Sequence, residues 1–362
     1  MQNEMPSSDV QAAPGPWDAS VGDFPRLPGE NGDSARILRA VAAAGRGGVV
    51  WFPRGEYEID EMLVVDNACS LLLHTSAHVK AVREMPFVLR YFGRMMEAGN
   101  GDSSGVADHN LFLRGGDIDG RGLASCAQVM GVRHFTMADT TFRNGRAVGL
   151  QLGDPSLDRA VEGGYEIVAD NLYFVCNLPG LAGNVGFLAT IGDSHFTDMV
   201  VVDYTVGVRD LKWSNRYTRC HVWGGIVRNA ATGRPEYLPD SIAFDIAGAD
   251  TLLDDCYADT AMTGYLVRSD ARIFNCAYFN NWRFEMDNPT VFRHEKGALI
   301  VTGGRFSKNS PNATLYAAGP DAGHLAWHDN RILAFSGAET KALAEKLAGE
   351  NADSAVAQHL AG

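Results

Sequence analysis

The sequence predicts an all-β solenoid, a chain wound into stacked coils of parallel strands, and three observations predict it. Short β-prone runs that end in small or polar residues recur from Leu111 onward, at 116–120, 140–144, 173–177, 199–203, 219–223, 255–259, 275–279, 304–306 and 330–332. Their apolar anchors fall about 20 to 35 residues apart, the interval at which one structural repeat stacks on the next. Strands of an antiparallel sandwich would instead recur every ~8 to 12 residues with hairpin turns between them. Hairpin signals are few, and Asn144-Gly145, the exception, is read as a coil corner. Third, 40 glycines and 14 prolines suit many tight corners, while 46% hydrophobic residues are ample for a continuous core.

The elements follow in chain order. Residues 1–24 read as a flexible, polar, Pro-rich arm without the apolar stretch of a signal peptide. A short helix comes next: Asn31-Gly32-Asp33-Ser34 offers a capping side chain, Ile37, Leu38 and Val41 share a face, and Gly45 ends it. Such a helix would plug the open end of a solenoid. After Gly47-Gly48 the apolar run 49–52 is a strand, and Pro53 with Gly55 bends the chain before it resumes at Tyr57. The stacked coils extend to about residue 336 as one domain, since solenoids grow along one axis past ordinary domain length. Residues 337–362 form an Ala-, Leu- and Glu-rich helical tail with Leu343 and Leu347 on one stripe.

Helix, glycine pair, strand and Pro53-x-Gly55-x-Tyr57 together resemble the N-terminal signature of the pectate-lyase-like superfamily of carbohydrate-active proteins. The stretch Gly115-Gly116-Asp117-Ile118-Asp119-Gly120-Arg121-Gly122 is similar to the Gly-Gly-x-Ile-Asp-Gly-x-Gly coil of polygalacturonases. The resemblance implies a right-handed parallel β-helix with a short N-terminal capping helix and a C-terminal helical tail. In that family the glycine-rich coil is mostly architectural, glycines permitting the corner and Asp side chains bonding nearby amides. The rest of the polygalacturonase motif set is missing: Asp254-Asp255 stands alone, with neither a Gly-His-Gly nor an Arg-x-Lys. Inulin fructotransferases are closer in overall character, at the level of fold analogy.

Charge narrows the partners. A formal net charge of −13 repels phosphate backbones and anionic membrane surfaces, so neither nucleic acid nor membrane is expected as a partner. The six cysteines, Cys69, Cys126, Cys176, Cys220, Cys256 and Cys276, show no paired spacing and are expected as buried thiols of a cytoplasmic protein.

Alternation along each strand then locates the chemistry. Side chains of a parallel β-helix point alternately inward and outward, and equivalent positions stack about 4.8 Å apart. If Cys220, Cys256 and Cys276 form an inward column, Arg219, His221 and Trp223 face out, with Asp255, Tyr257 and Asp259 on the next coil and Asp203 one coil earlier. Carboxylates, an imidazole, a guanidinium and aromatic rings are what a sugar site needs: rings stack on C–H faces, Arg and His hold hydroxyls, carboxylates transfer protons. The expected catalytic residues are Asp203, Asp255, Asp259 and His221, with Arg219, Trp223 and Tyr257 binding substrate. Asp203 and Asp259, placed at equivalent positions two coils apart, form the expected carboxylate pair.

A rival patch combines Asp240, Asp245, Arg268, Asp270, Arg272, Trp282, Arg283 and Glu285. The bland alternative for both patches is a set of solvated ladders or subunit contacts. His324 and His328, followed by Asp329, could share a face, but spacing alone reveals no third residue for a zinc site, so neither metal nor cofactor is expected. The functional expectation is a glycoside hydrolase or intramolecular glycosyl (fructosyl) transferase acting on a small neutral oligosaccharide. The alternatives are a lyase or epimerase on a uronic acid, with Arg219 or Lys212 neutralising its carboxylate, and a non-catalytic sugar-binding or tailspike-like protein. Flat solenoid flanks make a homotrimer the expected assembly.

Overall fold

The structure, a computed structural model, describes residues 16–93, 110–156, 164–178, 181, 183–228, 235–280, 286 and 288–350. The chain winds as a right-handed parallel β-helix in which each coil gives one strand to each of three faces. The first and second faces are joined through two long strands, Thr290–Thr302 and Thr314–His328, into one 20-stranded assembly, and the third face has 11 strands. Among the described residues one antiparallel pairing occurs, a hairpin of Ile226–Arg228 and Pro235–Tyr237 in the connection from the third face to the first.

All nine recurring runs of the sequence are third-face strands: Asp117–Asp119, Thr141–Arg143, Tyr173–Val175, Val200–Val202, His221–Trp223, Tyr257–Asp259, Ala277–Phe279, Arg305–Ser307 and Arg331–Leu333. They recur legibly because the corner before them is short and chemically uniform. On successive coils Gly115, Asp139, Asn171, Asp198, Arg219, Asp255, Asn275 and Gly303 hold that corner with positive φ. The amide of each donates to the strand end of the next coil, as in Asp198 N to Thr218 O at 3.1 Å and Arg219 N to Asp254 O at 3.0 Å. Left-handed backbone favours Gly, Asn and Asp, so the corner writes itself into the sequence as small polar residues.

Register decides the core. Ala127, Leu150, Phe187, Val208, Phe244, Tyr265, Phe292 and Tyr316 stack inside the first face. The rings of Phe244 and Tyr265 lie 5.4 Å apart and those of Tyr265 and Phe292 5.1 Å, nearly parallel in both cases. Cys220, Cys256 and Cys276 form the expected inward column, all buried, with Cys256 N donating to Cys276 Sγ at 3.3 Å. Burial pushes the Cys220 and Cys256 thiols well above their ordinary pKa, which suppresses thiolate chemistry.

Both ends are closed by helices. At the start, Ser34–Ala44 turns Ile37, Ala40 and Val41 onto the first coil. The expected side-chain cap is not made, because the buried carboxylate of Asp33 is engaged elsewhere. It accepts Arg26 Nε and Nη2 at 2.8 Å each, Arg36 Nε at 2.6 Å and Glu58 N at 2.6 Å. Against the upward pull of burial, these donors hold its pKa below the ordinary value. At the other end Gly337–Gly349 starts from a Ser336–Glu339 capping box and buries Thr340, Leu343 and Leu347. The expected N-terminal arm is corrected in part. Ala19 and Ser20 pair with Val50 and Trp51, and Trp17 stacks on Trp51 at 5.0 Å, so the arm's described portion is docked on the sheet. The rest of the arm and the last residues of the tail lie outside the described residues.

One interior corner is polar. Asp210 is enclosed between the first and second faces, where Oδ1 accepts from Asn215 Nδ2 at 2.9 Å and Lys212 N at 3.3 Å, and Oδ2 lies 2.8 Å from Thr251 Oγ1. Burial pushes its pKa up to about 7 despite these bonds. The neutral form fits the ring of partners well. A protonated Oδ2 donates to Thr251 Oγ1, which leaves the Thr251 hydroxyl proton for Gly248 O at 3.2 Å.

Because the folded pKa of Asp210 exceeds its ordinary value of 3.8, its stabilising contribution is complete below that value and is lost as pH rises through about 7. A shift of that size corresponds to about 4 kcal/mol at most. Asp210→Asn reproduces the neutral hydrogen-bond pattern, so calorimetry should show a flatter thermal midpoint from pH 5 to 8 and a gain over wild type at pH 8. Identical pH profiles for the two proteins would refute this account. Phe244→Ala opens the ring column and should cost about 3 to 5 kcal/mol in denaturant unfolding; a loss below ~1 kcal/mol would mean that the column relaxes to fill the gap.

Candidate functional site

The outer face of the third sheet gathers four of the expected site residues. Parallel pairing sets His221 opposite Tyr257 and Trp223 opposite Asp259, all outward, because Val222 and Ala258 between them point into the core. The His221 and Tyr257 rings stack at 4.8 Å with 18° between their planes. His221 Nε2 lies 3.8 Å from Asp259 Oδ2, while the Thr260 hydroxyl donates to Asp259 Oδ1. One carboxylate oxygen is thereby held by the hydroxyl of the corner residue Thr260 and the other faces the imidazole. Burial, with the charge of Asp259 adding to it, pushes the Tyr257 hydroxyl up to about 12, so it stays protonated and acts as a donor near neutral pH.

Two nitrogens of this patch, His221 Nε2 and Trp223 Nε1, are shielded from water and make no hydrogen bond. Polar groups so placed are costly, roughly 1 to 3 kcal/mol each. Thr260 adds a second departure from the ordinary. Asn144, Asp203 and Thr260 take the left-handed corner that ends a third-face strand, with φ of 51°, 60° and 59°. Asn and Asp adopt this conformation at modest cost, but a β-branched threonine does so only under strain of about 1 to 3 kcal/mol. The strained residue is the one that fixes Asp259.

Toward the N-terminal end the same outer face turns apolar. Tyr173 and Val200 lead to His221 along one row, and Val175 and Val202 lead to Trp223 along the other. The polar cluster thus sits at the end of an apolar strip.

The remaining expected residues lie elsewhere. Asp203 is not equivalent to Asp259: Val202 holds that register opposite Trp223, and Asp203 sits one position later, in the corner. Arg219 and Asp255 are also corner residues, between the second and third faces, and Arg219 is committed to Asp198 through bonds of 2.7 and 2.6 Å. The sequence placed them on strands because it counted strict alternation through a turn that breaks it.

The rival patch is dispersed over several surfaces. Asp245 faces out from the first face, 1% exposed and clamped by Arg209 Nε at 2.7 Å and Arg268 Nη2 at 2.5 Å. Asp240 is exposed in the turn before Ile242–Ile246, and Arg272 pairs with Asp250 on the second face. Trp282, with Arg283 and Glu285, lies outside the described residues. In the glycine-rich coil Asp119 accepts from Arg121 N at 2.8 Å, the expected turn role, whereas Asp117 is buried and pairs with Arg143. His324 is engaged by Glu350 at 2.7 Å, and no group of three metal-ligating side chains occurs among the described residues. No helix among them is long and apolar enough to cross a membrane.

Thr260 was missed from the sequence. Aligning 144, 203, 224 and 260 as one corner position would have exposed it, since the other three carry Asn, Asp and Gly.

Neither a family model nor a curated protein matches the chain. Solved structures do. A tailspike protein of E. coli bacteriophage HK620, determined in complex with a pentasaccharide, superposes with a TM-score of 0.63 at 13% identity, covering 87% of this chain and 62% of that one. Endo-xylogalacturonan hydrolase from Aspergillus tubingensis gives 0.59 at 11% identity, covering 87% of this chain and 92% of that one. The A-module of the Azotobacter vinelandii mannuronan C-5 epimerase AlgE4 gives 0.54 at 16% identity, covering 87% and 95%. The chain spans 61% of the length of a further match, ORF18 of Geobacillus virus E2. At these identities the likeness is one of fold, and the fold is the right-handed parallel β-helix.

Proposed function

We propose that the protein is a carbohydrate-active enzyme that lays a neutral oligosaccharide along the outer third face and activates a hydroxyl nucleophile with the His221–Asp259 dyad. One observation carries this reading: an imidazole, a carboxylate and two rings meet on adjacent coils, with two nitrogens lacking any hydrogen-bond partner. On the same face the exposed ring of Tyr173 suits a sugar C–H face. Solved structures of this fold include a xylogalacturonan hydrolase, a mannuronan epimerase and a tailspike holding a pentasaccharide, which supports a polysaccharide or oligosaccharide ligand.

The 3.8 Å spacing defines the roles. Two groups on opposite sides of a sugar ring need about 5 to 9.5 Å between them, so His221 and Asp259 are not an opposed acid and base. They fit a base and its orienting partner. The His221 ring nitrogen turned away from Asp259 takes the proton of water, or of a hydroxyl of the same sugar, as that oxygen attacks the anomeric carbon; the glycosidic C–O bond breaks, and the imidazolium, stabilised by Asp259, passes the proton to the departing sugar oxygen. The protonated Tyr257 hydroxyl is a hydrogen-bond donor for substrate oxygen. Elimination or epimerisation of a uronic acid would need a cation for the sugar carboxylate, and Arg219 is bound to Asp198 at the corner. A homotrimer belongs to the same proposal.

Product analysis by mass spectrometry over a panel of neutral oligosaccharides is the test. His221→Ala should lower kcat/KM about 10²- to 10⁴-fold and Asp259→Asn at least tenfold, while Asp203→Asn stays within about threefold of wild type. Unchanged turnover in His221→Ala and Asp259→Asn would remove the dyad. Products absorbing in the near ultraviolet would assign elimination instead, and ligand retention without any product would leave a binding protein.

A further inference from the structure

On the side of the solenoid away from the third face, the corner between the first and second faces carries an aromatic platform. Arg133, Tyr165 and Gly192 occupy one corner position on successive coils, joined by parallel bridges. Trp213 occupies the next coil, accepting Asp193 N through its carbonyl at 3.1 Å. Its indole is 42% exposed, among the most exposed large hydrophobic side chains described.

Gly192 is the seat of that ring. A Cβ there would meet Trp213 Nε1 at 3.1 Å, Cε2 at 3.2 Å and the Trp213 carbonyl oxygen at 2.9 Å, so the missing side chain lets the indole lie against backbone. One coil earlier the Arg133 guanidinium lies 4.9 Å over the Tyr165 ring. Glu166 holds it there, accepting from Arg133 Nε at 2.6 Å and lying 2.7 Å from His134 Nε2. Guanidinium, phenol ring and indole therefore follow one another along the corner. Beside them runs a second row, the left-handed positions His134, Glu166, Asp193 and Ser214.

We propose that this corner is a second sugar site, in which a neutral pyranose stacks on Trp213 beside Tyr165 while Glu166, Asp193 and Ser214 accept hydrogen bonds from its hydroxyls. A flat aromatic surface bordered by acceptors is complementary to a ring with apolar C–H faces and a rim of hydroxyl donors. Charge selects against acidic sugars. Arg133 and His134 are both engaged by Glu166, Asp193 adds a further carboxylate, and the whole chain carries −13. The site lies across the solenoid from His221 and works independently of the chemistry proposed there, anchoring a long substrate or a polysaccharide surface.

Affinity electrophoresis of the full chain tests it, in native gels cast with glucomannan, galactomannan or arabinoxylan and with polygalacturonate as the anionic comparator. At least one neutral gel should retard the wild type. Trp213→Ala should raise the dissociation constant roughly tenfold, and Gly192→Ala, which lifts the indole without removing it, roughly threefold. Trp213→Ala should have the same effect in a His221→Ala background as in the wild type, so loss of the catalytic reading leaves this one standing. The proposal is overturned if no neutral gel retards the wild type, if Trp213→Ala is retarded equally, or if only polygalacturonate retards it.

Discussion

Parallel hydrogen-bond ladders between coils fix what every side chain in this protein can touch. Once Val222 pairs with Ala258 inside the solenoid, His221 and Tyr257 must stack outside it, and Trp223 must lie beside Asp259. Residues 36 apart in sequence become neighbours about 4.8 Å apart without any local signal between them. The ladder depends in turn on corners that return the chain at a constant angle. Those corners require left-handed backbone, which is why Asp, Asn and Gly crowd them.

Within that lattice, strain and unsatisfied polarity are not spread evenly. Most corner positions carry the residues that left-handed backbone prefers, whereas Thr260 does not, and its hydroxyl holds the carboxylate facing His221. The two nitrogens without partners lie on the neighbouring coil. Buried polar atoms without a hydrogen bond also occur at Asn67, Tyr217 and Arg268, so what distinguishes this patch is that two such nitrogens and a strained corner meet on adjacent coils. The clamped Asp245 is the counterexample on the first face. With both oxygens bound by arginines, it reads as a neutralised structural charge, held in place and already committed.

The two aromatic surfaces differ in construction. At His221 the rings are fixed by strand pairing, and the polar groups belong to adjacent coils of one sheet. At Trp213 the ring rests on a glycine in a corner, where the backbone leaves the sheet and polar side chains can fan outward. Sheets give position and corners give reach, and a solenoid supplies both along its whole length.

Period, composition and the inward thiol column were legible in the sequence because each is a local property repeated many times: small polar corner residues, alternating apolar positions and a spacing that excludes hairpins. That was enough to determine the fold, the nine third-face strands, the end helices and the outward pairing of His221, Trp223, Tyr257 and Asp259. What the sequence misjudged was the phase at the corners. A left-handed residue interrupts strict alternation, so Asp203, Arg219 and Asp255 were counted onto strands when they belong to turns. Only the tertiary structure decided those positions, along with the Asp210 ring, the clamp on Asp245 and the seat of Trp213 on Gly192. Each depends on which coil lies above which, a relation set by hydrogen bonds between segments tens of residues apart and written in no single stretch of chain.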